Sequence, residues 1–451
     1  MTTTISIQDL AENDLEHLIH PLYHRKAQEN QTIFERGEGV WLTDVNGKRY
    51  IDGLSCLWNV NVGHGRAELA EAAAEQMRTL AFVNSYTGFS NIPAIELATK
   101  LASLAPGDLN SVFFTSGGGE STESAFKMAR YLWNVQGQPE KYKIISRMDA
   151  YHGVTLAALG ATGIPQYWDR FGPPAPGFFH ALAPNIYRLG DGDPERTAQE
   201  AIDSIEEIVA REGANTVAAV IAEPVQGAGG VIVPPPQYIR MLRELCDQHN
   251  MLLIADEIIT GFGRTGRWFA QDHYGVQADI MAFAKGVTSG YVQLGGIIVS
   301  KRIQELLAAQ PPDVRWMHAY TYSAHPTACA VGLANIAIIE REGLVEHSAQ
   351  MGRYLLEQLE TLRSLRYVGD VRGLGLLARV ELVKDTATKE SFAPADHVGD
   401  RVMSEARKRG LISRNRGEVI CIAPPLVIEK DEIDQLVTIL RESIEAITSS
   451  L

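Results

Sequence analysis

The chain has 451 residues, 45% of them hydrophobic, enough to bury a large core and to build more than one domain. Its 41 basic residues are outnumbered by 55 acidic ones, leaving a formal charge of −14. That balance argues against a nucleic-acid footprint and against a polybasic membrane patch. No apolar run approaches the ~20 residues of a membrane helix. The opening M-T-T-T-I-S-I-Q-D-L lacks a basic n-region and an apolar h-region, and Cys56, Cys246, Cys329 and Cys421 are widely scattered. We therefore expect a cytoplasmic protein with reduced thiols, no disulfide framework and no metal site.

In chain order, segment 1–55 is too short for a core of its own and is expected to pack with the C-terminal unit. Residues 56–325 alternate short apolar runs with helical patterns. P-A-I-E-L-A-T-K-L-A-S-L predicts a helix with Pro93 at its first turn. S-V-F-F-T (111–115) predicts a strand, and E-S-T-E-S-A-F-K-M-A-R-Y-L-W predicts a helix directly after three glycines. Further strands are predicted at Y-K-I-I-S (142–146), V-A-A-V-I-A (217–222), M-L-L-I-A (251–255), A-D-I-M-A-F-A (278–284) and G-G-I-I-V (295–299). Near-continuous apolar strands separated by helices read as a parallel α/β sheet covered on both faces. Residues 326–451 read as a smaller α+β unit. A long helical stretch runs to about residue 365, then comes a strand at L-L-A-R-V-E-L (376–382) and a closing helix, D-E-I-D-Q-L-V-T-I-L-R-E-S-I.

Three features fall at carboxyl ends of predicted strands, the edge where open α/β sheets bind ligands. In F-F-T-S-G-G-G-E, Ser116, Gly117, Gly118 and Gly119 lead from strand into helix. That arrangement has the form of a phosphate cradle, although it lacks the G-K-[ST] of a nucleotide loop. A plain glycine turn is the alternative. In L-L-I-A-D-E-I-I-T-G-F-G-R-T-G-R, Asp256 and Glu257 end an apolar strand. Adjacent strand residues face opposite ways, so the two carboxylates cannot share one task. Gly261, Gly263 and Gly266 in the same stretch match G-x-G-x-x-G, but a dinucleotide site requires a helix there. The third feature is Lys285 in F-A-K-G. It is an ammonium at the end of an apolar run, and burial would lower its pKa. A lysine snorkelling to solvent is the alternative. An amine, an acid and a phosphate cradle at one sheet edge are what pyridoxal phosphate requires, and Tyr151 in Y-H-G offers a flat neighbour for its ring.

These motifs occur with L-W-N-V-N-V-G-H-G, A-E-P-V-Q-G, H-A-Y-T-Y-S-A-H-P and R-N-R-G. In that order and spacing the chain resembles a class III (omega) aminotransferase of fold-type I, over nearly its whole length. The resemblance implies a large domain with a mostly parallel seven-stranded sheet, a smaller α+β domain, and pyridoxal 5'-phosphate as cofactor. It implies that Lys285 forms a Schiff base with the cofactor and shuttles a proton, and that Asp256 pairs with the ring nitrogen. Tyr151 and Ile258 would flank the ring. Gly118 and Gly119, with Ser116 or Gly117, would hold the phosphate, and Glu223 of A-E-P would lie near the cofactor. Thr321 would reach the phosphate of a neighbouring subunit in a homodimer or a dimer of dimers. Trp58 and Tyr86 would line the substrate pocket, and Arg414 would clamp a substrate carboxylate. Arg416, two residues on, is a second candidate for the clamp. The implied activity moves an amino group from an amine or omega-amino acid to a 2-oxo acid, with pyruvate the expected acceptor. The alternatives are an aminomutase or decarboxylase of the same fold.

Overall fold

A computed structural model describes residues 6–29 and 31–449. An antiparallel meander opens the chain, with strands β1 (Phe34–Glu38), β2 (Trp41–Asp44) and β3 (Arg49–Asp52). The central strands follow: β4 (Leu109–Thr115), β5 (Lys143–Arg147), β6 (Phe178–Ala181), β7 (Val217–Ala222), β8 (Leu252–Asp256), β9 (Ile280–Phe283) and β10 (Gly295–Ser300). They form one seven-stranded sheet in the order β4-β10-β9-β8-β7-β5-β6. Strand β10 runs against both of its neighbours, and the other six run one way. The chain closes with β11 (Val368–Gly373), β12 (Ala378–Leu382), β13 (Leu411–Ile412), β14 (Arg414–Arg416) and β15 (Val419–Ile422). Of these, β13 pairs in parallel with β3, so the opening meander shares a sheet with the C-terminal part.

The central strands are apolar on both faces because both faces are covered. Ile144, Ala219, Ile221, Leu252, Ile254, Ile280 and Ala282 pack with Phe126, Met128 and Leu132 of the helix Gly118–Val135. Their neighbours Ile145, Val220, Leu253, Ala255, Met281 and Phe283 pack into the other core, with the helices Pro194–Glu212 and Tyr238–Gln248. This period of two fixes where each strand-end side chain emerges.

Some expectations needed correction. Strand β6 has no counterpart in the sequence reading, because F-F-H-A is a four-residue edge strand too short to show a pattern. The long helical stretch after residue 326 is two helices, Pro326–Arg341 and Leu344–Glu360, broken where Gly343 turns left-handed at φ 61°. No helix opens at Gly261–Gly266. Gly263 and Gly266 are packing points, where an added Cβ would come within 3.0 Å of Leu426 and 2.8 Å of Ala349. The dinucleotide alternative is therefore removed. Among the described residues no helix is long and apolar enough to cross a membrane.

Candidate active site

The parity of β8 assigns its two terminal carboxylates. Asp256 has the parity of Leu252 and Ile254, and so emerges on the face of the helix Gly118–Val135. Its Oδ2 lies 2.8 Å from His152 Nδ1. A carboxylate can only accept, so the ring proton sits on Nδ1. Asp256 Oδ1 accepts from the Ile258 amide at 3.1 Å. Glu257 turns into the opposite core, where it accepts from the Thr260 hydroxyl and from the amides of Ala270 (2.9 Å) and Gln271 (2.8 Å). Burial pushes its pKa up to about 7. It is a structural acid that fastens the turn after β8.

Lys285 follows β9, with its backbone in the left-handed region at φ 46°. Such a conformation in a non-glycine residue is strained and is held only by its surroundings. The side chain lines a cavity of about 560 Å³ and is crowded by protein elsewhere. Its Nζ has no hydrogen-bond partner among the described residues. Burial lowers its pKa to about 8, against the attraction of Asp256 and Glu223 and with the repulsion of Arg414. Glu223 emerges just beyond β7 and is buried. Its oxygens accept from the amides of Tyr151 (3.0 Å) and Gly227 (2.8 Å). Burial raises its pKa, and the nearby Asp256 adds to the rise.

At the far wall the helix Gly118–Val135 begins, with no side chain capping it. Its first amides are therefore unpaired and carry the positive end of the dipole. Gly118 and Gly119 line the cavity. Gly118 backs onto Ile258, where a Cβ would meet the Ile258 side chain at 3.1 Å. Ser116 and Gly117 do not line the cavity, and the Ser116 amide donates to Glu120 at 2.8 Å. Of this turn, Gly118 and Gly119 are the residues that face the cavity.

The cavity's outer part is mostly apolar, with Leu22, Trp58, Tyr151, Tyr167, Ala228 and Ile259 in its wall and Arg414 at the rim. The two arginines of R-N-R separate here. Arg416 is paired with Asp149 at 2.5 Å and lies outside this cavity. Arg414 has no carboxylate partner among the described residues, and its Nη2 lies 3.4 Å from the Tyr167 hydroxyl. Arg414 stands on the β14–β15 hairpin, on the edge strand β14 and opposite Cys421 of β15.

Tyr86 and Thr321 stand outside their own chain's cavity, both exposed. The two segments that carry them are tied together. Ser85 Oγ donates to the Ser323 carbonyl at 3.1 Å, Asn91 Nδ2 donates to the Ala324 carbonyl at 2.9 Å, and Phe82 meets Tyr322 edge-on. Sequence reasoning missed His152 and Tyr167. His152 stood inside the quoted Y-H-G, and its place beside the stacking tyrosine was the available signal. Tyr167, in the 3-10 turn Pro165–Tyr167, carried none.

An amine, a paired acid and an open helix start around one cavity, at the carboxyl edge of a mostly parallel seven-stranded sheet, define a fold-type I pyridoxal-phosphate enzyme. Comparison narrows this. Residues 22–444 match the family described as aminotransferase class-III, and the chain belongs to that family. A putrescine–pyruvate aminotransferase of Pseudomonas aeruginosa is 40% identical over 94% of this chain and 92% of its own. An (S)-enantioselective omega-transaminase of Thermomicrobium roseum is 49% identical and superposes with a TM-score of 0.95 over 99% of both chains. An omega-transaminase of Pseudomonas jessenii, solved in complex with PMP, is 38% identical, with a TM-score of 0.95 over 98% of both chains.

Class III aminotransferases depend on pyridoxal phosphate, and the residues here fit it. Lys285 offers an amine whose proton burial has loosened. Among the described residues His152 Nε2 and Trp58 Nε1 are buried without a partner, and the amides of the uncapped helix suit a phosphate.

Proposed function

We propose that this aminotransferase takes an amino group from an amine or omega-amino acid and passes it to a 2-oxo acid, with pyruvate as the acceptor and alanine as the product. The observation that carries this reading is Arg414. It has no carboxylate partner among the described residues and shares the cavity wall with Leu22, Trp58 and Tyr167, while Arg416 two positions on is held by Asp149. A ping-pong reaction asks one pocket to take a carboxylate-bearing acid and then an amine that has none. A fixed buried arginine would serve only the first. One on an edge strand, with a side-chain hydrogen bond to a phenol stretched to 3.4 Å, can turn toward the acid and away from the amine.

When bound, the cofactor supplies the electron sink, and the chain supplies the rest. Lys285 would be the covalent anchor and the group that moves the proton, and its lowered pKa eases release of that proton. Asp256, oriented by His152, would keep the ring nitrogen protonated. Tyr151 and Ile258 would hold the ring, Gly118 and Gly119 would hold the phosphate, and Glu223 fixes the backbone of Tyr151. Trp58 lines the substrate pocket and excludes water.

We further propose a homodimer with shared sites. Phe82, Phe89, Ile92, Ile95, Met317 and Tyr322 are exposed around the segments that carry Tyr86 and Thr321. A second copy covering that surface would receive both residues at its own cavity. Four unpaired cysteines suit the reducing cytoplasm.

The test is a donor panel of β-alanine, a diamine, taurine and an aryl-alkyl amine, each with pyruvate and with 2-oxoglutarate. Alanine formation is expected to dominate. Glutamate formed where no donor yields alanine would remove the pyruvate assignment.

A further inference from the structure

The substrate cavity does not end at Arg414. An outer cavity of about 300 Å³ adjoins it, and the two share Leu22, Tyr167, Ala228 and Arg414 in their walls. Among the described residues, the polar contact within that shared wall is the 3.4 Å approach of Arg414 Nη2 to the Tyr167 hydroxyl, at the long end for a hydrogen bond. Its two sides stand on separate elements, each anchored without the other. Strand β14 is pinned by the Arg416–Asp149 pair at 2.5 Å and by pairing with β15. The turn Pro165–Tyr167 is pinned where Trp168 Nε1 donates to the Thr162 carbonyl at 2.8 Å, and where the Tyr167 ring rests on Tyr151 with centroids 5.5 Å apart. The wall can therefore part without unfolding either element.

Beyond the wall the surroundings suit an anion. Gln166, Asn415 and Arg416 line the outer cavity, and among the described residues no carboxylate does. The Asn415 amide is taken by Asp400 and by the Gly417 carbonyl, and Asp149 already faces Arg416. That leaves the guanidinium of Arg414 and the amide of Gln166 to receive a ligand.

We infer that the Tyr167–Arg414 contact is a partition, and that the outer cavity receives the distal carboxylate of an omega-amino acid too long for the inner cavity. Tyr167 is thus a positioning residue that acts through Arg414 and sets the donor length. The inference rests on the aminotransferase reading, with the donor amine placed at Lys285. With Tyr167 in place, the guanidinium is held at the inner rim and short acids are clamped there. With the contact broken, the two cavities join and the cation faces outward.

The experiment uses the holoenzyme, with pyruvate as acceptor. Unbranched omega-amino acids from β-alanine to aminododecanoate are compared with alkyl amines of matched length, in wild type, Tyr167→Phe and Tyr167→Ala. Tyr167→Ala should raise kcat/KM for the long acids relative to β-alanine by about tenfold, the scale of one charge-assisted contact. Tyr167→Phe should shift it in the same direction by less, and the alkyl amines should gain little. A length profile parallel to wild type in both variants overturns the partition. Alkyl amines gaining as much as the acids overturns the carboxylate subsite. Binding of a long straight-chain dicarboxylate, which has no amino group, gives a readout independent of turnover. It should be tighter in the Tyr167→Phe holoenzyme than in wild type, and equal binding counts against the partition. Wild type that transaminates no donor at all would overturn the functional reading, whereas normal transamination with an unmoved length profile overturns the partition alone.

Discussion

The floor and the rim of this cavity are built by different means. On the floor, Asp256 ends a strand of the central sheet, Glu223 and Lys285 lie within two residues of a strand end, and the acids are almost wholly buried. The two acids are held by partners at 2.8–3.0 Å. On the rim, Arg414 stands on an edge strand and Tyr167 on a 3-10 turn. The only side-chain contact there between Arg414 and Tyr167 is a 3.4 Å approach. A site that must hold one cofactor rigidly and admit two unlike substrates gains from this division. Reaction chemistry tolerates little misplacement, whereas dual recognition requires a group that can move.

If the floor is rigid machinery, breaking it should abolish chemistry outright. Lys285→Ala should lose the covalent link and nearly all turnover. Borohydride reduction of the wild type followed by peptide mapping should place the cofactor on Lys285, and a label on another lysine would overturn the assignment. Asp256→Asn keeps the shape and a hydrogen bond to His152 but removes the charge. Turnover should fall by roughly three orders of magnitude, the scale of losing a fixed electrostatic partner of the transition state, with the cofactor still bound as read by its absorbance.

If the rim is selective rather than chemical, damage there should divide the substrates. Arg414→Ala should cost ~2–4 kcal/mol of acceptor binding, or roughly 30- to 1,000-fold in the Michaelis constant for pyruvate. A carboxylate-free amine should be far less affected. Arg416→Ala, which releases Asp149 instead, should leave the pyruvate constant nearly unchanged. Equal weakening of both substrates by Arg414→Ala would put that arginine on the floor side of the division.

The smallest effect sharpens the electrostatics of the floor. Without cofactor, Lys285 in the folded chain titrates near 8, against 10.5 for a free lysine. Below about pH 8 folded and unfolded chains both hold the proton, and this residue gives no slope. Between about 8 and 10.5 the unfolded chain holds more protons, so stability from this residue rises with pH. Thermal melting of the cofactor-free protein on either side of pH 8 should show that rise relative to Lys285→Met, and parallel curves would contradict it.

The sequence by itself determined six of the seven central strands, the order of the motifs and the opposite facing of Asp256 and Glu257. Each of these follows from patterns a few residues long: apolar runs, the alternation of strand faces, and glycines before a helix. It also singled out Lys285, because an ammonium closing an apolar run is conspicuous without any partner in view. It did not show that Asp256 meets His152, 104 residues away. Nor could it divide Arg414 from Arg416, identical groups two positions apart in one polar segment. Only the tertiary structure pairs Arg416 with Asp149 and leaves Arg414 facing Tyr167, 247 residues distant. The physical reason is range. Backbone preference and burial pattern are local and written along the chain, whereas a side chain's charge partner is chosen by how separate elements pack, and no local pattern encodes that choice.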